Sequence, residues 1–213
     1  MNKAALCFIV ALSSSFAQSV SVGDGNVFFR GAAGSVKQIT SEHLDSDPSL
    51  SFDNKQIVFV RRTPGRQTGD LDENEIWIAD CDHFRPAKRI LRGRQGNISP
   101  GPRMLLAEFS KPQFSPASEQ IYFMSALWAT ARSINILDLR TGAVRFLYAG
   151  LDIEVIHDGQ YKGYLIATKD PITDHGRIIV YWLLDPGRKE IKRIGENESD
   201  LEFFRKSRQN NKQ

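Results

Sequence analysis

Cysteine is nearly missing from this chain, with two in 213 residues, and one of them, Cys7, lies in a leader-like N-terminus. Cys81 then stands alone, so no intramolecular disulfide forms even in an oxidising compartment. Placed at the end of Glu75-Ile76-Trp77-Ile78-Ala79-Asp80, it reads as a small packed residue rather than a nucleophile. Histidine is as sparse. His43, His83, His157 and His175 fall in four separate loops with no His-x-x-x-His pair, which argues against a zinc site. Charge of one sign is lacking too: the formal net charge is +3, and the basic residues form no block ahead of the C-terminal tail. Nucleic-acid binders concentrate Lys and Arg on one face, so nucleic acid is not the expected partner. Beyond residue 12 no apolar run approaches the roughly 20 residues a membrane helix needs. Hydrophobic residues at 41% and charged residues at 25% exclude wholesale disorder.

Sequence signatures of chemistry are also absent. There is no Gly-x-Ser-x-Gly elbow, no phosphate-cradling Gly loop ending in Lys-Ser/Thr and no dinucleotide fingerprint. Asp70-Leu71-Asp72-Glu73-Asn74-Glu75 spaces oxygen donors as calcium loops do. An EF-hand, however, needs Gly at the sixth position and Glu at the twelfth, where this chain has Glu75 and Cys81. The segment is expected to be a solvated hairpin loop, and neither a cofactor nor a metal is expected.

What is present begins with residues 1–17. Lys3 supplies a positive end, Ala4 to Leu12 an apolar run, and Ser15-Phe16-Ala17 the small residues read by a signal peptidase. The order predicts a secretory signal cleaved after Ala17, in preference to a buried N-terminal helix, and hence a periplasmic or secreted mature protein.

The chain also repeats itself. Pro48-Ser49-Leu50-Ser51-Phe52-Asp53-Asn54-Lys55-Gln56-Ile57-Val58-Phe59 is echoed by Pro112-Gln113-Phe114-Ser115-Pro116-Ala117-Ser118-Glu119-Gln120-Ile121-Tyr122-Phe123. Farther on, Ile76-Trp77-Ile78-Ala79-Asp80 aligns with Ile134-Asn135-Ile136-Leu137-Asp138. A recurring unit buries its apolar faces against its neighbours rather than within itself. Four short strands fit in each of two units, 47–91 and 111–147. A third, diverged unit has strands at 152–156, 164–168, 178–184 and 190–194. Ahead of them, 27–29 and 36–39 read as two strands of a half unit, preceded by a Gly- and Ser-rich stretch from Ser21 to Gly25. Long polar loops are expected at 63–74, 93–102 and 169–176. Residues 196–213 read as a polar tail or a short docking helix.

The pattern Asp47, Pro48, Ser49, Ser51, Asp53, Lys55, Ile57, Phe59, followed by Ile76, Trp77, Ile78 and Asp80, resembles the WD40-like β-propeller repeat of the TolB-like family. The resemblance implies an all-β fold, residues 18–195, of four-stranded antiparallel blades: three full blades and an N-terminal half-blade. Such propellers generally close with 4 to 8 blades. A small closed ring, an open arc and a ring completed by a second copy all remain open, with the bare arc least favoured because it exposes strand edges.

Of the aromatic residues, Trp77 and Trp182 hold corresponding third-strand positions and are expected between blades. Trp128 sits in a loop, and with Leu127 and Arg132 forms the candidate partner-binding patch, since exposed Trp and Arg anchor interfaces. The expected role is a non-enzymatic module that binds another envelope protein through loops at one face. A hydrolase or sugar-binding propeller using axial carboxylates such as Asp47, Asp152 and Glu154, and a partner-neutralising immunity-type protein, are the alternatives.

Overall fold

A computed structural model of the chain describes residues 17–210 except 69–70, 83–84, 98–102, 129–130, 175, 186 and 188. It opens with a three-stranded antiparallel sheet, not two strands: β1 (Ser19–Gly23), β2 (Asn26–Arg30) and β3 (Val36–Gln38). The additional strand is the Gly- and Ser-rich stretch, in which Val20 and Val22 alternate with serine. Asp24 and Gly25 form the two-residue turn between Gly23 and Asn26, with φ of 48° and 67°. Turns of this kind need positive φ at both central residues, which Asp-Gly accommodates. Gly25 is required on a second count, because a Cβ there would lie 2.5 Å from the His43 carbonyl oxygen.

Three four-stranded antiparallel blades follow. The first is β4 (Asp45–Leu50), β5 (Gln56–Thr68), β6 (Leu71–Asp80) and β7 (Lys88–Arg92), after which β8 (Arg94–Asn97) and β9 (Arg103–Leu106) form a separate hairpin. The second is β10 (Ser110–Phe114), β11 (Gln120–Trp128), β12 (Ala131–Asp138) and β13 (Val144–Ala149). The third is β14 (Asp152–Val155) and β15 (Leu165–Lys169), then a small inserted ladder of β16 (Ile172–Thr173) and β17 (Gly176–Arg177), then β18 (Val180–Leu184) and β19 (Glu190–Gly195). Each blade runs in sequence order, and the expected units match these boundaries closely.

The repeated Ser explains itself in the turn between the first two strands. The Ser51 hydroxyl accepts the Gln56 N–H at 2.9 Å, while the Ser51 carbonyl accepts that of Asn54, whose φ is 57°. In the second copy Ser115 Oγ accepts the Gln120 N–H at 3.1 Å and its carbonyl accepts that of Ser118, φ 56°. Both serines are buried, so each hydroxyl satisfies a turn N–H that the ladder leaves over.

Side-chain alternation then stacks the blades. Val27, Ile39 and Phe29 of the first sheet pack on Ile57, Phe59, Trp77 and Ala79 of the first blade. The opposite face of that blade, with Val58, Val60 and Ile76, meets Phe114, Ile121 and Phe123 of the second. Tyr122, Met124, Ile134 and Ile136 in turn meet Ile153, Val155, Leu165 and Leu184 of the third, with Trp182 against the same cluster. Trp77 and Trp182 are thus interblade residues, as expected.

The third blade's remaining face is covered by α1 (Glu198–Asn210), so the tail is a docking helix. Asn197 caps it, its Oδ1 accepting the Asp200 N–H at 2.9 Å. Leu201 and Phe204, three residues apart on one face, pack with Ile156, Ile166, Tyr181 and Leu183, where a further blade would sit. At the other end of the array the first sheet turns Ser19, Ser21, Phe28, Arg30, Val36 and Gln38 outward, opposite its Val20, Val27 and Phe29. Among the described residues no ladder or core cluster joins the first sheet to the third blade. The described residues form an open arc with one helix-covered end and one end left uncovered, where polar side chains are mixed with Phe28 and Val36.

The expected long loops are corrected in part. Residues 63–74 extend the β5–β6 ladder as far as Gln67↔Asp72 and Thr68↔Leu71, with a register shift after Arg62. Residues 93–102 include β8 and lead to β9, and 169–176 carry β16 and lead to β17. Backbone groups in such projections pair with each other rather than with solvent, which polarity of side chains alone does not reveal.

Candidate functional site

The inner strands β4, β10 and β14 lie side by side. Asp47 Oδ2 accepts the Lys111 N–H at 3.0 Å, and Lys111 Nζ reaches Asp152 Oδ2 at 2.6 Å, so the starts of the three strands lie level. All three blades therefore point their hairpins between second and third strands toward one end, together with the connections from blade to blade. The β5–β6 projection, the β8–β9 ladder, the β16–β17 ladder and the Trp128↔Ala131 pair of β11 and β12 share that end.

Between the first and second blades this end holds a cleft of about 490 Å3, walled by Arg62, Pro64, Gly65 and Glu73 on one side and by Glu108, Ser110 and Arg132 on the other. Its floor is a clasp. The Asn74 side chain donates from Nδ2 to the Phe109 carbonyl at 2.8 Å and accepts the Phe109 N–H at 2.7 Å. Glu73 is buried and accepts from Arg92 Nε at 2.7 Å. Arg132 is held by one nitrogen, Nη2, which donates to the Glu108 carbonyl and to Ser110 Oγ. Arg62, Pro64, Gly65 and Arg66 on the projecting arm are exposed.

Of the three expected contact residues, Arg132 therefore lines the cleft. Leu127 is only 5% exposed and lies in the core between the first two blades, because its position on β11 points inward. The Trp128 side chain lies outside the described residues. Sequence reasoning missed Arg62, Glu73, Glu108 and Ser110. The run Arg61-Arg62-Thr63-Pro64-Gly65 was the available signal, a strand that continues past its blade.

The inner-strand carboxylates are each engaged. Asp47 and Asp152 bind Lys111 as above, and Glu154 takes Arg205 at 2.5 Å and Arg208 at 3.3 Å from α1. Deeper in the first blade, Asp45 grips Arg61 through Nε at 2.6 Å and Nη2 at 2.8 Å, beneath the ring of Trp77. Among the described residues no group of three His, Cys, Asp or Glu side chains converges as metal ligands would. Asp70, His83 and His175 lie outside them.

A second cavity, about 600 Å3, opens at the opposite end between the first sheet and the first blade, beside Phe29, Asp53, Lys55, Cys81 and Arg85. Burial, reinforced by Asp82, Asp53 and Asp80, pushes the Cys81 thiol up to about 12. It is a poor nucleophile at neutral pH.

No protein-family model matches the sequence, and no curated protein matches it. Solved structures do resemble the fold. The β-propeller domain of the Trilobed protease from Pyrococcus furiosus, described as having an open velcro topology, superposes with a TM-score of 0.50 at 14% identity, over 82% of this chain and 49% of that one. TolB from Acinetobacter baumannii aligns with a TM-score of 0.38 at 16% identity, over 85% and 51%. Oligogalacturonate lyase from Vibrio parahaemolyticus aligns with 0.42 at 10%, over 85% and 63%. The chain spans about half the length of the first two. Sheet order, blade stacking and the first of these superpositions together identify the chain as an arc of β-propeller blades.

Proposed function

We propose that this chain is a non-enzymatic propeller module of the bacterial envelope that binds another protein through the hairpin end of the arc. Residues 1–17 act as the secretory signal, and the chain from Gln18 works in the periplasm or outside the cell. Among the described residues no helix is long and apolar enough to cross a membrane.

One observation carries the reading. The β5–β6 arm continues beyond its blade and stands over a cleft whose walls carry Arg62 and Arg132. A rigid stack holding an exposed arm beside a preformed cleft suits recognition of a protein surface, since little ordering is left to be done on binding. The propeller domain that superposes on this chain belongs to a protease, as its name states. What favours binding over hydrolysis here is that Asp47, Asp152 and Glu154 are all tied to basic groups or backbone.

The test is recovery of partners from a periplasmic extract by the chain from Gln18, beside a variant in which residues 63–73 are replaced by a two-residue turn. A protein recovered by the first and lost by the second is expected. Equal recovery by both, or turnover of glycans or peptides by the purified chain, would overturn the proposal.

A further inference from the structure

Three sheets have four strands and the first has three. The packing identifies the missing one. β3 leads into β4 as β13 leads into β14, so β3 is the outermost strand and β1 is the second. Accordingly β1 packs beside β4, as β5 does beside β10 and β11 beside β14. The axial first strand has no counterpart in this sheet among the described residues.

Among the described residues the edge of β1 away from β2 therefore has no ladder partner, and Ser19, Ser21, Val22 and Gly23 are exposed. Alternate residues of a strand direct their N–H and C=O groups to each edge, so a row of these groups faces the gap. Proteins ordinarily guard such edges with Lys, Pro or a bulge. Ser-Val-Ser-Val-Gly has no charge and no proline, and its ladder with β2 runs without a register shift.

The other blades show what the absent strand supplies. Asp47 on β4 accepts the backbone N–H of Lys111, and Gln113 on β10 accepts the Val155 N–H while donating to the Ile153 carbonyl. Each first strand thus sends a hydrogen-bonding side chain to the backbone of the next. No side chain of the first sheet does this for β4 among the described residues, although Asn26 Oδ1 accepts the His43 N–H as Asn74 Oδ1 accepts that of Phe109.

We propose that the open edge of β1 accepts an extended segment of a partner protein as a first strand, antiparallel to β1, with Asp, Glu, Asn or Gln at the position facing β4. This is strand addition to an exposed sheet edge, in which backbone hydrogen bonds hold the segment and side chains select it. The assignment to a partner rests on the secretory reading above: cleavage after Ala17 leaves one residue ahead of β1, too few to turn back and pair.

The experiment is amide hydrogen exchange of the chain from Gln18, with and without a synthetic peptide copying residues 151–158. That segment is the protein's own third first strand, and it carries Glu154 at the clasp position. The peptide is expected to slow exchange of β1 amides by about tenfold or more, and a scrambled peptide to do nothing. Two N-methylated peptides, blocked at residues 153 and 155 or at 154 and 156, should differ. A strand pairs with β1 along one edge only, so one version binds and the other does not. Binding that leaves β1 unprotected, or is indifferent to both methylation patterns, would overturn the inference while leaving the secretory reading intact. Protection that rises with protein concentration alone would assign the edge to a second copy and overturn it too. Protection in the full chain isolated from cells, lost in the chain from Gln18, would overturn the secretory reading as well, because residues 1–17 would then be retained and occupy the edge.

Discussion

The carboxamide of Gln113 joins the second blade to the third, accepting the Val155 N–H at 2.8 Å and donating to the Ile153 carbonyl at 2.8 Å. Ile153 and Val155 are both buried, so removal of the amide strands two backbone groups away from water. Each such group costs about 1–3 kcal/mol when left unpaired. Gln113→Ala is expected to lower stability by about 2 kcal/mol or more, read as a shifted urea midpoint. Asn74→Ala, at the preceding interface, should cost a similar amount. Because the two clasps share no partner, the double variant should lose the sum of the two.

The helix α1 makes a second, sharper prediction. Phe204 is 7% exposed against the third blade, whereas Phe203, its neighbour, is 75% exposed. Phe204→Ala should cost about 3–5 kcal/mol, as loss of a buried phenylalanine does, while Phe203→Ser should stay within about 0.5 kcal/mol. Truncation after residue 196 would bare Ile156, Ile166 and Leu183. That variant is expected to bind a hydrophobic dye and to self-associate during gel filtration. Unchanged behaviour would mean that the helix does not shield the end of the arc.

Much of this was readable from residues. Ser51 and Ser115 mark the blades because their turns need a hydroxyl acceptor, and the alternation of Ile57 with Val58 assigns the two faces of a strand. Less was readable where a local signal was overruled or unrecognised. Asp24-Gly25 is a strong hairpin signal, yet the serines around it read as a loop. Leu127 sits next to Trp128 in a stretch that reads as an exposed loop, but β11 continues through it and turns Leu127 into the core. The cleft was not legible at all, since Arg62 and Arg132 are distant in sequence and meet only because two blades stack.

His157 stacks on Phe52 with ring centroids 4.3 Å apart, bridging the first and third blades. Burial lowers its pKa below the ordinary 6.5, against the pull of Asp158 and Glu154 and with the help of Lys162 and Arg208. A base whose folded pKa is depressed takes up its proton more readily when unfolded. Its contribution is full above 6.5 and is lost as pH falls through the folded value. The melting temperature is therefore expected to decline between about pH 7 and pH 5. In His157→Phe, which keeps the stack and removes the titration, that part of the decline should vanish. An identical slope in both proteins would show that the decline arises elsewhere.

Cys81 offers a probe of the first interface that needs no mutation. It is 7% exposed in the cluster between the first sheet and the first blade, with its thiol pushed up to about 12. Thiol reagents attack the thiolate, and four pH units below such a value only about one thiol in ten thousand is ionised. At pH 8 the native chain should react far more slowly with a disulfide reagent than the same chain in denaturant, where Cys81 returns to its ordinary value near 9.0. The opening that exposes it is departure of the first sheet from the first blade. Asn26→Ala removes the amide that accepts the His43 N–H at 3.0 Å across this boundary, and should speed the reaction of Cys81. Phe204→Ala, at the far end of the arc, should speed it much less if the blades open singly, and by a factor that matches its own loss of stability if the array unfolds only as a whole. The ratio of the two rates thus measures how cooperative the stack is.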